Sequence, residues 1–297
     1  MFQLFLVFVL AHLTADFIFQ RNKTIELKRT NIHKGLWRHV ICHFSVTLVV
    51  VLSYFVLSTD WSIGLVIKSL IAVVVITLIH YFIDWFKESM KRKSDRVWVS
   101  GSLFIFDQLL HLLSIFLIMQ LLGLVSYSIE QWKVDSVQFL FEGIDFPNVT
   151  KLLIILNLLL IATEGAGYLL GIVLKNLGPN LSLNKGSYSI SDEKTEIKTV
   201  LNEKGEEVNE VTRIKTEQFY KDSPKNIGRY IGIIERLLII IFIVQGFPHG
   251  LPFLIAIKSL TRFKQFENKQ FSEYYLIGSL SSSVIAVVIG YIILRVL

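Results

Sequence analysis

Runs of about twenty apolar residues recur along this chain, the length a helix needs to cross the hydrocarbon core of a bilayer. They fall at residues 2–19, 39–57, 64–86, 101–122, 152–174, 227–245 and 274–294. A shorter run, 251–263, follows Gly246, Pro248, Gly250 and Pro252, and reads as an interfacial or re-entrant helix or a short span. With 53% hydrophobic residues, a water-soluble fold of this size would have too much apolar surface to hide. The expectation is an all-α, multi-pass transmembrane helical bundle with about seven spans, one either way. The first run has no basic segment before it and no small-residue cleavage site, so it reads as the first helix and not as a cleaved signal.

The polar segments between the runs set an orientation. The first carries Arg21, Lys23, Lys28, Arg29, Lys34 and Arg38 against Glu26 alone. The third carries Lys87, Lys91, Arg92, Lys93 and Arg96. The second is a short turn around Asp60, and the fourth contains Glu130, Asp135, Glu142 and Asp145. Basic loops stay on the cytoplasmic side, so loops one and three are expected there and the N-terminus outside. The net charge of +6 is spread over such loops, where it faces anionic lipid headgroups; membrane lipids are the expected partners and nucleic acid is not. The lone cysteine, Cys42, excludes an intrachain disulfide and a paired-cysteine metal or redox site.

Four regions follow from this reading. Residues 1–125 form a four-helix membrane domain, 126–174 an outer loop and fifth span, 175–226 a polar cytoplasmic insertion, and 227–297 the C-terminal membrane helices. The insertion alternates polar and apolar residues, as in Glu196-Ile197-Lys198-Thr199-Val200 and Val211-Thr212-Arg213-Ile214, around a turn signal at Asn202-Glu203-Lys204-Gly205. A β-hairpin and a charged linker both stay open for it, and it is a candidate docking segment for a cytoplasmic partner.

Ionisable groups inside membrane helices are costly, so each one marks a candidate site. The first four helices carry His12 and Asp16, His39 and His43, His80 and Asp84, and Asp107 and His111. Each pair is spaced four residues apart, which puts both members on one helix face. The pairs close helices one and three and open helices two and four. Because helix direction alternates, all eight fall in the cytoplasmic half of the membrane. Imidazole and carboxylate are ligands for zinc or manganese, and the set suffices for one ion or two. Two ions suit hydrolysis of a phosphoester by an activated water. Some of the eight can instead orient a ligand histidine from behind. Gln20, Arg38, Lys87 and Gln108 lie close by as candidate substrate contacts, Lys87 and Arg38 as counter-charges for a phosphate. A single His–Asp pair is often only a clamp between helices; four pairs at one depth point to a shared metal site.

In the second half, Glu164 sits among Ala162, Thr163, Gly165, Ala166 and Gly167, and Glu235 and Arg236 lie inside an apolar helix. Lys258 and Arg262 share a helix face and are partners for Glu235 or a lipid phosphate. These five read as a structural ion network between the last helices.

The stretch Ala11-His12-Leu13-Thr14-Ala15-Asp16-Phe17-Ile18-Phe19-Gln20 resembles the opening signature of a bacterial membrane family, domain of unknown function 3307. His39-x-x-x-His43, His80-x-x-x-Asp84-x-x-Lys87 and Asp107-Gln108-x-x-His111 are similar to its other blocks, over roughly the first 125 residues. The segments 232–237, 256–263 and 273–278 look like a C-terminal region often attached to it. The resemblance implies a bacterial cytoplasmic (inner) membrane protein and carries no activity. A looser similarity links the spaced His and Asp residues to membrane-bound metal-dependent hydrolases and to the zinc-dependent phospholipase C and nuclease group. This chain has Phe19-Gln20 where a Pro-x-His often follows the first Asp there, so its ligand set departs from theirs. The expected function is metal-dependent hydrolysis of a phosphoester or lipid headgroup at the cytoplasmic leaflet. The alternative is metal-ion or proton-coupled transport through the same cluster, which requires a polar path to the outer face.

Overall fold

The computed structural model describes residues 2–20, 22–58, 61–91, 97–126, 131, 135, 137–139, 143–175, 177, 187–201, 207–221, 227–263, 266 and 269–297. Helices α1 (Phe2–Phe17), α2 (Asn22–Thr30), α3 (Ile32–Leu57), α4 (Ile63–Lys91) and α5 (Val97–Leu121) come first. Helix α6 (Asn148–Leu160), a π-helical turn (Ile161–Gly165) and α7 (Ala166–Val173) form one continuous run. Strands β1 (Ser187–Leu201) and β2 (Glu207–Lys221) follow, then α8 (Ile227–Val244), α9 (Leu251–Leu260) and α10 (Lys269–Val296).

Among the described residues, five helical runs are long and apolar enough to cross a membrane: α3, α4, most of α5, the α6–α7 run and α10. Helix α1 is shorter, at 16 residues. Helix α8 has 18 residues but carries Arg229, Glu235 and Arg236. Helix α9, at 10 residues, is too short to cross unaided. Outward-facing apolar side chains such as Val56, Leu57 and Leu121 are more than four-fifths exposed, which suits contact with lipid. This is the architecture of a helical membrane protein.

Helix α1 is the axis of the N-terminal bundle. Eleven of its 16 residues are buried, and it packs on α3, α5 and α6. A helix covered all round needs no polar face, and in α1 Gln3 is the one polar residue before His12. One end of this bundle is an apolar core built from Leu4, Phe8, Val51, Phe55, Val73, Ile115 and Met119. The other end holds the His and Asp residues. Helix α2 is polar and folds back against α3 at a corner fixed by Asn31, whose side chain accepts from Lys34 N at 3.1 Å and caps α3.

Contacts between distant segments fix the direction of each helix. Gln3 Nε2 donates to Thr150 Oγ1 at 3.1 Å, and Lys151 Nζ donates to the Leu297 carbonyl at 2.9 Å, so both termini lie at one end. At the opposite end Phe17 packs against Gly165, and Arg229 pairs with Glu164. Loops one and three and the insertion before α8 therefore emerge from the end away from the termini. Helix α8 ends at Gly246, whose φ of +69° lets Gly246 N reach Ile243 O and Phe247 N reach Phe242 O. From that turn α9 runs back along α8, and α10 then lies parallel to α8.

The insertion is a hairpin. Strands β1 and β2 pair antiparallel from Ser187↔Lys221 to Leu201↔Glu207, with Ile197 opposite Val211 and Val200 opposite Val208. Of the two readings of this segment the linker gives way, because the alternation repeats at period two on both strands. The turn expected at residues 202–205 lies outside the described residues, as do Arg21, Asp60, Arg92, Lys93, Arg96, Glu130 and Glu142.

Candidate metal centre

The four pairs converge. His12, Asp16, His39, His43, His80, Asp84, Asp107 and His111 are each between 1% and 6% exposed. The i,i+4 spacing turns both members of each pair inward, and alternation of helix direction brings the pairs to one level. His43 Nε2 lies 2.9 Å and His39 Nε2 3.1 Å from Asp16 Oδ1. His80 and His111 meet through their Nδ1 atoms at 3.1 Å, and the His43 and His80 rings stack with centroids 3.8 Å apart.

Two lysines serve the carboxylates on α4 and α5. Lys87 Nζ donates to Asp107 Oδ2 at 2.7 Å and to Asp84 Oδ1 at 3.3 Å. Lys28 Nζ, carried by α2, donates to Asp84 Oδ2 at 2.7 Å and is 3% exposed. Lys28 is a site residue that the sequence reading counted only as loop charge. Its delivery depends on Gly35, where an added Cβ would stand 2.5 Å from Lys28 N and 2.6 Å from Lys28 Cα. Gln108 Nε2 donates to Asp16 Oδ2 at 3.0 Å and so holds that carboxylate from the side away from His43. Gln20 is half-buried and Arg38 exposed, and among the described residues neither is hydrogen-bonded into the cluster.

The donor set fits a metal ion. His12 Nε2, His80 Nε2, His111 Nε2 and Asp107 Oδ1 are buried without a hydrogen bond, although His12 Nε2 lies 3.5 Å from Asp16 Oδ2 and His111 Nε2 3.4 Å from Asp107 Oδ1. Leaving such an atom unpaired costs about 1–3 kcal/mol each, and an ion removes that cost. Of His80 and His111, the ring that donates through Nδ1 leaves its Nε2 as a bare lone pair when neutral, as a ligand must be. Three groups of candidate ligand atoms lie within 4.8 Å of one another: Asp16, His39, His43 and His80; His12, His80 and His111; Asp84, Asp107 and His111. Ligands about 2.1 Å from one tetrahedral ion lie about 3.4 Å from one another, so the widest separations allowed here would have to close by more than about 1 Å around an ion.

Beside the rings lies a cavity of about 10 Å³, lined by His12, His43, His80 and His111 and by the hydroxyls of Thr47, Thr77 and Ser114. That is room for about one water. Phe8, Ile76 and Ile115 close it on the side of the apolar core.

The residues read as an ion network in the second half occupy separate contacts. Lys258 Nζ donates to Glu235 Oε2 at 2.7 Å, and Glu164 pairs with Arg229. Arg236 is buried; it donates to the Ala162 carbonyl, to the Thr163 carbonyl at 2.7 Å and to Ser282 Oγ at 3.1 Å. The π-helical turn breaks the regular ladder there and presents these carbonyls. Arg262 lies over the Phe271 ring at 5.9 Å.

Residues 4–140 match the model of a family described as protein of unknown function (DUF3307). This segment belongs to that family. The DUF3307 segment contains α1 to α5, and with them all eight His and Asp residues, Lys28, Lys87 and Gln108. The Arg236 and Glu235 contacts lie outside it. No curated protein and no solved structure matches the chain.

Proposed function

We propose that the chain is a metal-dependent hydrolase of the bacterial inner membrane, acting on a phosphoester or lipid headgroup at the cytoplasmic leaflet. The observation that carries this reading is the convergence of buried imidazole nitrogens and carboxylates from four helices, among them His12, His80 and His111 Nε2 and Asp107 Oδ1 without a hydrogen bond. His12, Asp16, His39, His43, His80, Asp84, Asp107 and His111 are the residues to hold zinc or manganese. The ion supplies Lewis acidity and lowers the pKa of a bound water. Gln108 orients Asp16, as carboxylate-supporting groups do at metal sites. The cavity next to His43 and His80 offers a place for a water close to the ligands. Lys87, with 22% of its side chain exposed, stands at the rim where a phosphate oxygen would approach.

Transport through the same cluster is less well supported. Beyond the cavity the bundle is filled by Phe8, Ile76 and Ile115 and then by Leu4, Val51, Val73 and Met119, and the buried polar side chains Ser69, Thr150 and Asn157 are already hydrogen-bonded within the protein. Loops one and three and the hairpin share one end, and the basic residues of the two loops support a cytoplasmic placement for it. The hairpin is then placed to meet a cytoplasmic partner.

The test is elemental analysis of detergent-purified protein together with phosphodiester hydrolysis. Bound zinc or manganese, lost together with hydrolysis in His43→Ala, is the expected result. Protein without transition metal, whose His43→Ala variant hydrolyses like wild type, would refute the reading.

A further inference from the structure

The two halves of the cluster differ in how their carboxylates are neutralised. Asp84 and Asp107 take the ammonium groups of Lys28 and Lys87 at 2.7 to 3.3 Å. Asp16 has no lysine or arginine within ion-pair distance among the described residues; its partners are His12, His39, His43 and Gln108. The ligand-atom group on the lysine-free side is Asp16, His39, His43 and His80, and the group on the other side is Asp84, Asp107 and His111.

We propose that the site takes one divalent transition-metal ion, on Asp16, His39, His43 and His80, and that Lys28 and Lys87 are fixed internal cations that keep a second ion off Asp84 and Asp107. This rests on the metal-binding reading above and narrows it. Charge decides the count. Three carboxylates against two ammonium groups leave the cluster with one negative charge when its histidines are neutral. One divalent ion turns that into a single positive charge, which an anionic phosphodiester cancels. Two ions would leave three positive charges in a site nearly closed to water, where uncompensated charge is strongly disfavoured. A second ion would also have to share Asp84 and Asp107 with ammonium groups already at contact distance. Lys28 is built into its place: it is buried, it reaches Asp84 from a separate helix, and that helix is seated by the backbone contact at Gly35.

The experiment is metal stoichiometry by mass spectrometry on full-length protein in detergent, loaded with manganese or zinc and desalted. Wild type is expected to hold one ion per chain and the Lys28→Met/Lys87→Met variant two. Two ions in wild type, or a single ion in the folded double variant, overturns the proposal while leaving metal binding intact. No ion at all overturns metal binding itself. If the double variant does not fold, Asp16→Asn and Asp107→Asn decide. The ion is expected to be lost from the first and kept by the second, and equal loss from both overturns the assignment.

Discussion

Asp84 is the most heavily paired carboxylate of the cluster, with Lys28 and Lys87 on its two oxygens and His39 Nε2 at 3.4 Å. Removing its charge takes from the buried Lys28 the carboxylate it meets at 2.7 Å. Breaking a buried pair from one side costs about 3–5 kcal/mol, more than the pair itself contributes. Asp84→Asn is therefore expected to lower the thermal unfolding temperature in detergent markedly. Adding Lys28→Met to it is expected to recover part of the loss; strictly additive losses would show that the two charges do not depend on each other. At this scale the sequence was legible in one respect and not in another. The eight His and Asp residues announce themselves because a polar residue in an apolar run is rare, and a spacing of four gives it a partner on the same face. Lys28 sits in a polar loop among Lys23, Arg29 and Lys34, and nothing local separates it from them. Its burial arises only when α2 folds back on α3, a contact between segments that no short window contains.

That fold-back makes α2 and α3 one mechanical unit. An alanine at position 35 would put its Cβ into the backbone of Lys28, which cannot move as a flexible side-chain end can. Gly35→Ala is expected to destabilise by about 1–3 kcal/mol, the usual range for overpacking, through displacement of α2. In a Lys28→Met background the same change should cost less, since the ammonium contact it disturbs is already gone; unfolding temperatures of the four variants test this. The π-helical turn makes a second unit, in which Arg236 ties α8 to the Ala162 and Thr163 carbonyls and to Ser282 on α10. Arg236→Met is expected to leave those carbonyls unpaired at about 1–3 kcal/mol per group. Arg236→Lys should restore only part of the stability, because one ammonium lacks the planar fork that reaches both carbonyls and the hydroxyl. If the lysine variant matches wild type in thermal unfolding, the fork geometry carries no weight there. The sequence placed Glu235 and Arg236 inside a helix but had no way to show the π-helical turn. That turn comes from one extra residue per turn near a buried guanidinium, not from a composition signal.

For the molecule as a whole, the decisive fact is that the chain leaves and returns to the same end. Residue 3 touches residue 150, and residue 151 touches residue 297, while Phe17, Gly165 and Arg229 mark the other end. Ends that lie together call for an even number of crossings, which the segment from α9 to the start of α10 would complete. Apolar length alone does not show this, because α9 has only 10 residues. Hydropathy gives about seven spans, one either way, with residues 251–263 open as a short span, and the contacts at the two ends bear on that open segment. A consequence can be measured in sealed vesicles. In a Cys42→Ser background, Phe2→Cys and Leu297→Cys, both exposed, are expected to react with a membrane-impermeant maleimide from one side. Thr199→Cys, exposed on β1, should react only from the other, because the hairpin follows α7 at the end where Glu164 meets Arg229. Labelling of Phe2→Cys and Leu297→Cys from opposite sides would mean an odd number of crossings. Labelling of all three from one side would move the hairpin, and with it the basic loops and the open rim of the His and Asp cluster, to the same face as the termini.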